Sequence, residues 1–238
     1  MTLPKLDKPL FELTIPSTKQ PILFRPFTVK EEKILLMGQQ SGTEKDIILA
    51  IKQVIQNCCQ ADRDLNVDRL ATFDLEFIFL KLRSMSVNNV INVSYRDNED
   101  DKIYDFEIDL DQVIVTNLET VISNRIEITD TIGMLMSYPS VKILENVPEN
   151  STVTELTEYL IRSCIESVYD ENTVYPANEV DSDELAAWLD DLNVETFDKI
   201  KAFFDNIPQM YYKIEYTNSL GSKRKIELTT LNDFFTWR

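Results

Sequence analysis

Apolar residues recur along this chain in two rhythms, and the switches between them predict its elements. Phe11, Leu13 and Ile15 alternate with polar neighbours, the pattern of a strand with one buried face. Pro16 to Gln20 reads as a turn, and Ile22 to Phe24 as the returning strand of a hairpin. After Pro26, Thr28 stands at an N-cap with Glu31 as its capping-box partner. The helix they open carries Val29, Ile34, Leu36 and Met37 as a mixed apolar stripe, with Ile34 and Met37 expected to pack, and is expected to end over Gly38 to Gly42. Thr43 caps a second helix to about Cys59, with Ile47, Ile48, Ile51, Val54, Ile55 and Cys58 on one broad face. A third, from about Asp68 to Ser84, is apolar around much of its circumference and is expected at the centre of the core. Val90 to Tyr95 and Ile103 to Ile108 predict a second hairpin, turned through the acidic run Asp97-Asn98-Glu99-Asp100-Asp101.

The second half has a similar order. Val113 to Val115 and Arg125 to Ile128 read as strands. A short helix is expected from Thr129 or Asp130 through Ile132, Leu135 and Met136, broken at Tyr138-Pro139. Ser151 caps a helix carrying Leu156, Leu160, Ile161, Cys164, Ile165 and Val168. An acidic loop from Glu171 to Asp181 precedes two helices, Asp183 to Leu189 and Val194 to Phe204. Met210 to Tyr216 and Lys223 to Leu228 form a hairpin around Ser219-Leu220-Gly221. Ile51–Ile55 matches Ile161–Ile165 in pattern, Thr72-Phe73-Asp74 matches Thr196-Phe197-Asp198, and the two hairpins match in order. The predicted fold class is α+β, β-hairpins alternating with amphipathic helices. Its organisation reads as two related modules in tandem, residues 1–112 and 113–238, or as one fold with a coincidental likeness.

Composition removes most chemistry. Among 238 residues there is no histidine, so the commonest general base and metal ligand is missing. Four glycines argue against phosphate-cradling loops. Cys58, Cys59 and Cys164 lack the spacing and the fourth ligand of a zinc site, and read as buried free thiols of a reducing compartment. The net charge of −17 repels phosphate backbones and anionic membranes and favours basic protein partners, or serves solubility alone. No apolar run is long enough for a membrane span and no leader pattern opens the chain, so the cytosol of the producing cell is expected. No catalytic, cofactor or metal residue is assigned.

Candidate contact residues remain. Asp97, Glu99, Asp100 and Asp101 form an acidic tip, too short and without the glycine of a calcium loop. It reads as a solvated turn or a contact for a basic partner. Phe234, Phe235 and Trp237 at the chain's end dock on their own core or anchor a partner. Tyr211, beside Tyr212 on a strand, calls for a sheet covered on both faces. With 41 acids, pairing carboxylates for hydrolysis carries no information. An acidic mimic of nucleic acid would need a phosphate-like spacing along one face.

Five stretches resemble a known family. Phe11-Glu12-Leu13-Thr14-Ile15-Pro16-Ser17-Thr18 is followed by Phe24-Arg25-Pro26-Phe27 and Val29-Lys30-Glu31-Glu32-Lys33-Ile34-Leu35-Leu36. With the strings Asp46 to Ile55 and Phe73 to Arg83, these are similar to the baseplate hub proteins of T-even-like tailed phages. The resemblance covers about the first 110 residues and beyond them rests on length and order. It implies a non-enzymatic protein of the tail baseplate hub, with other hub proteins or the tape-measure protein as partners, while the net charge argues against direct contact to nucleic acid or membrane. The implied location is the virion tail baseplate, with the host cytoplasm during assembly. The family includes both a hub subunit and a factor that promotes hub assembly, and the resemblance sets neither the choice between them nor an oligomeric state.

Overall fold

The computed structural model describes residues 8–41, 43–60, 65–118, 123–148 and 151–234. The architecture is α+β, with short helices and small antiparallel sheets. The chain divides into two units, residues 1–118 with 208–238, and residues 119–207.

In the first unit, β1 (Phe11–Thr14) and β2 (Pro21–Phe24) form the expected hairpin, Phe11 opposite Phe24. The chain after α2 (Glu44–Cys58) borders it: the Arg25 N–H donates to the Cys58 carbonyl at 3.0 Å, and the Gln60 N–H to Leu23 at 2.9 Å. α1 (Val29–Ser41) opens as predicted, with the Glu31 carboxylate accepting from the Thr28 N–H at 2.9 Å and hydroxyl at 2.7 Å. It ends at Ser41, within the expected span Gly38 to Gly42, and Gly38 itself lies inside the helix. Glycine suits this position because α2 crosses there, where a Cβ would stand 2.7 Å from the Ala50 Cβ and 3.0 Å from the Asp46 carbonyl oxygen. The close crossing selects Glu31, Leu35 and Gly38 as the buried positions. Val29 and Met37 are left 72% and 70% exposed, so Met37 does not pack as expected.

α3 (Thr72–Ser86) follows a 3-10 turn at Val67–Arg69, and buries Phe73, Leu75, Ile78, Phe79, Leu80 and Leu82. Asp74 in its first turn is fully buried and accepts the Ser17 N–H at 3.0 Å and the Ser17 hydroxyl, tying the β1–β2 turn to the helix start. Burial pushes its carboxyl up against those hydrogen bonds. β3 (Val90–Arg96) and β4 (Ile103–Asp109) make the second hairpin. β5 (Ile114–Val115), β10 (Met210–Thr217) and β11 (Lys223–Leu228) form one sheet in the order β5-β10-β11. This pairing draws the chain's last hairpin and α8 (Leu231–Phe234) into the first unit, so residues 113–238 are not one module.

In the second unit, β6 (Arg125–Glu127), β7 (Gly133–Met136), β8 (Ile165–Tyr169) and β9 (Val174–Pro176) form one antiparallel sheet in that order. The expected helix over Ile132 to Met136 is therefore a strand. Met134 and Met136 are buried with Leu135 between them half-buried, and a Cβ on Gly133 would stand 2.1 Å from the Tyr169 hydroxyl, so only glycine fits beside β8. α4 (Val141–Glu145) was not foreseen. The cap of α5 (Val153–Ser163) is Thr152 in place of Ser151: its N–H donates to Glu155 at 2.7 Å, and the Glu155 N–H returns to its hydroxyl at 3.3 Å. The helix stops before Cys164, and Ile165 and Val168 lie in β8. α6 (Ser182–Asp190) and α7 (Val194–Asp205) are capped by the Asp181 and Asn193 side chains. Ile126, Met134, Met136, Ile161, Cys164, Ile200 and Phe203 form this unit's core.

The likeness between the halves holds for hairpins and fails for helices. β3–β4 and β10–β11 are each followed by a helical turn, Leu110–Gln112 and α8, but both hairpins lie in the first unit. Ile51–Ile55 is helix interior, whereas Ile161–Ile165 ends one helix and begins a strand.

The Phe24 ring is 2% exposed and Met37 70%. Phe24→Ala is expected to cost about 3–4 kcal/mol in urea unfolding, and Met37→Ala less than about 0.5 kcal/mol. Equal costs would refute the displaced stripe of α1.

Two carboxyls give stability an acid-side maximum. Burial raises Glu76 on α3 to about 7, although it accepts the Leu231 N–H. The folded state then holds a proton that the unfolded state has lost, so this contribution is complete below the ordinary value of 4.5 and disappears as pH rises through 7. Burial also works to raise Glu31, but the hydrogen bonds of Arg25 and Thr28 outweigh it and hold the carboxyl at about 2. Its contribution is present above 4.5 and is lost as pH falls toward 2. The thermal midpoint should peak near pH 5, and Glu76→Gln should flatten its fall between pH 5 and 8. A flat wild-type profile over that range would overturn the assignment.

Candidate functional site

The acidic tip between β3 and β4 is not a solvated turn. Its carboxylates meet the β10–β11 turn of the same unit. The Asp97 side chain is fully buried and accepts from the Tyr216 hydroxyl, from Arg224 Nε at 3.0 Å and from the Glu99 N–H at 2.8 Å. Glu99 accepts from Asn218 Nδ2 at 2.7 Å and from the Ser222 hydroxyl at 3.0 Å. Asp100 accepts from the Ser219 N–H at 3.0 Å, the Ser219 hydroxyl at 2.8 Å and the Tyr104 hydroxyl at 2.6 Å. The Tyr216 ring stands 5.0 Å from Tyr104 and 5.1 Å from Phe106. Asp101, the tip residue with positive φ, faces outward and pairs with the exposed Arg96 at 3.2 Å.

The electrostatics follow from these donors. The Tyr216 hydroxyl, with Arg224 and two turn amides, holds Asp97 below the ordinary carboxylate range. Burial works to raise Asp100, and the Tyr104, Lys102 and Ser219 donors together overcome it and hold the carboxyl low. Acids so depressed and so fully hydrogen-bonded do not serve as proton donors near neutrality. Glu76, near neutrality, faces the α8 amide of Leu231 and the Asp233 carboxylate, a helix-docking contact. Among the described residues no group of histidine, cysteine and carboxylate side chains could hold a metal ion. Burial pushes the Cys58 thiol to about 11 and the Cys164 thiol to about 12, and Cys59 is half-buried at the end of α2.

The other sequence candidates separate. Phe234 is 1% exposed and belongs to the core. Phe235 and Trp237 lie outside the described residues. Tyr211 is half-buried on the central strand β10, with its hydroxyl donating to Glu227 at 2.8 Å. Among the described residues no helix is long and apolar enough to cross a membrane.

Sequence reasoning missed a groove in the second unit. It has a volume of about 1000 Å³ and runs between α5 and the α6–α7 pair. Val153, Thr157 and Ile161 line it from α5, and Val194, Phe197 and Ile200 from α7. Ile161 and Ile200 are buried at its base, while Val153, Val194 and Phe197 are 83%, 77% and 47% exposed. The spacing Val153, Thr157, Ile161 repeats every fourth residue along a line of α5 beside Leu156 and Leu160, and that second line was the available sign.

The family model of the T4 bacteriophage base plate protein matches residues 8–236. The chain belongs to this family. Its role is structural, in the phage baseplate. No curated protein and no solved structure matches the chain. The match runs through both units.

Removing the buried Asp97 should matter more than removing the outward Asp101. Asp97→Ala removes the acceptor of the Tyr216 hydroxyl and of Arg224 Nε and is expected to lower the thermal midpoint by roughly 3–8 °C. Asp101→Ala should move it by less than about 1 °C. Similar shifts for the two would place the tip in solvent.

Proposed function

We propose that this chain is a non-enzymatic subunit of the phage tail baseplate hub, acting through protein–protein contacts and retained in the virion. The family match over residues 8–236 carries the reading, and the sequence resemblance to hub proteins narrows baseplate to hub. The side-chain chemistry agrees with it. The depressed carboxylates of the tip are spent on internal contacts, while apolar side chains stay exposed on helices of each unit, Val29 and Met37 in the first and Val153 and Val194 in the second. Other hub proteins or the tape-measure protein are the partners in this reading.

A second reading makes the chain a transient assembly chaperone for the hub or the tape-measure protein, absent from the finished particle. The uneven charge favours it: a strongly acidic, grooved unit suits holding a basic client that is later released. Mass spectrometry of purified virions separates the two. The hub-subunit reading expects the chain in particles in fixed ratio to other baseplate proteins. Its absence from virions, with its presence in tail-assembly intermediates from infected cells, would replace that reading with the chaperone.

A further inference from the structure

The net charge is not spread over the chain. Residues 119–207 contain 19 acidic and 5 basic residues, a net of −14, and the rest of the chain has 22 acidic and 19 basic, a net of −3. The groove between α5 and the α6–α7 pair lies in this acidic unit. We propose that the groove binds an amphipathic, basic α-helix of a partner protein, about three turns long, with the helix's apolar face on Phe197, Val194 and Val153. The proposal rests on the reading of the chain as a protein that works through protein contacts, and names the chemistry of the partner.

Three observations select this occupant. The first is shape. The lining comes mainly from helices, and Val153, Thr157 and Ile161 on one side with Val194, Phe197 and Ile200 on the other are rows at helical spacing. Rows of this kind interdigitate with the side-chain ridges of another helix. None of the groove's lining residues lies in a strand, so an added β-strand has no backbone edge to pair with. α5 is 11 residues long, about 16 Å, which sets the length of the contact. The second is polarity. The base is apolar and buried at Ile161 and Ile200, and the exposed Val153 and Val194 gain most from being covered. The third is charge. Glu158 and Asp190 line the groove against Arg162, within a unit of net charge −14, so lysines or arginines on the flanks of the incoming helix meet complementary charge. The same charge disfavours nucleic acid and anionic lipid as occupants.

The test uses the full chain and a 14-residue lysine–leucine peptide with leucines at helical spacing, labelled for fluorescence anisotropy. The control peptide has the same composition in an order that destroys the apolar stripe. The striped peptide is expected to bind at least tenfold more tightly than the control. Phe197→Asp should weaken it at least tenfold with the circular-dichroism spectrum unchanged. Glu158→Lys with Asp190→Lys should weaken it several-fold and lessen its salt dependence. Phe197→Ala is the second variant should Phe197→Asp disturb the fold. Equal binding of the two peptides would reduce the effect to bulk charge and overturn the proposal, as would a Phe197 variant that binds like wild type. Failure here leaves the virion result untouched, and absence from virions leaves the groove chemistry untouched, so the two readings fall separately.

Discussion

The Arg25 guanidinium ties together three segments of the first unit: the end of β2, the start of α1 and the last turn of α2. It donates to both Glu31 oxygens, at 3.0 and 3.3 Å, and to the carbonyls of Pro26 and Asn57 at 3.0 and 2.9 Å. Glu31 has no exposed side-chain surface, and Thr28 fills its remaining acceptor capacity. A buried charge pair is favourable only when its hydrogen-bonding groups are also satisfied, and here the satisfaction comes from the end of β2, the start of α1 and the last turn of α2. The hairpin, the helix start and the helix end must therefore arrive together. The close α1–α2 crossing at Gly38 follows from the same placement.

A similar logic holds the second hairpin. Asp97 sits without solvent between Tyr216 and Arg224, across more than a hundred residues of chain. Its side chain could only be buried because that hydroxyl and guanidinium return from the last hairpin. The first unit is thus closed by the end of the chain, with the acidic second unit inserted between β5 and β10. Insertion leaves a chain with two chemically different bodies. One is nearly charge-balanced and cross-tied by buried carboxylates. The other carries most of the net charge and an open apolar groove.

Local patterning alone determined much of this protein. The hairpins at Phe11–Phe24 and Val90–Asp109, the Thr28–Glu31 contact at the start of α1, the Thr43 cap and the apolar girth of α3 are all short-range features, set by alternation, turn chemistry and side-chain hydrogen bonds a few residues apart. The missing histidine and the scarcity of glycine likewise limit the chemistry from composition alone. Tertiary structure decided what depends on distant neighbours. Gly133–Met136 is a strand because β6 and β8 pair with it on both sides. Position 38 takes a glycine because Ala50 crosses there. Asp97 and Asp100 became internal ties because Arg224, Tyr216 and Ser219 come back to meet them. The division into units turned on Met210 pairing with Val115. Short-range pattern fixes which segments can be helix or strand. Which face is buried, and which charge finds a partner, is settled only where segments far apart in sequence come into contact.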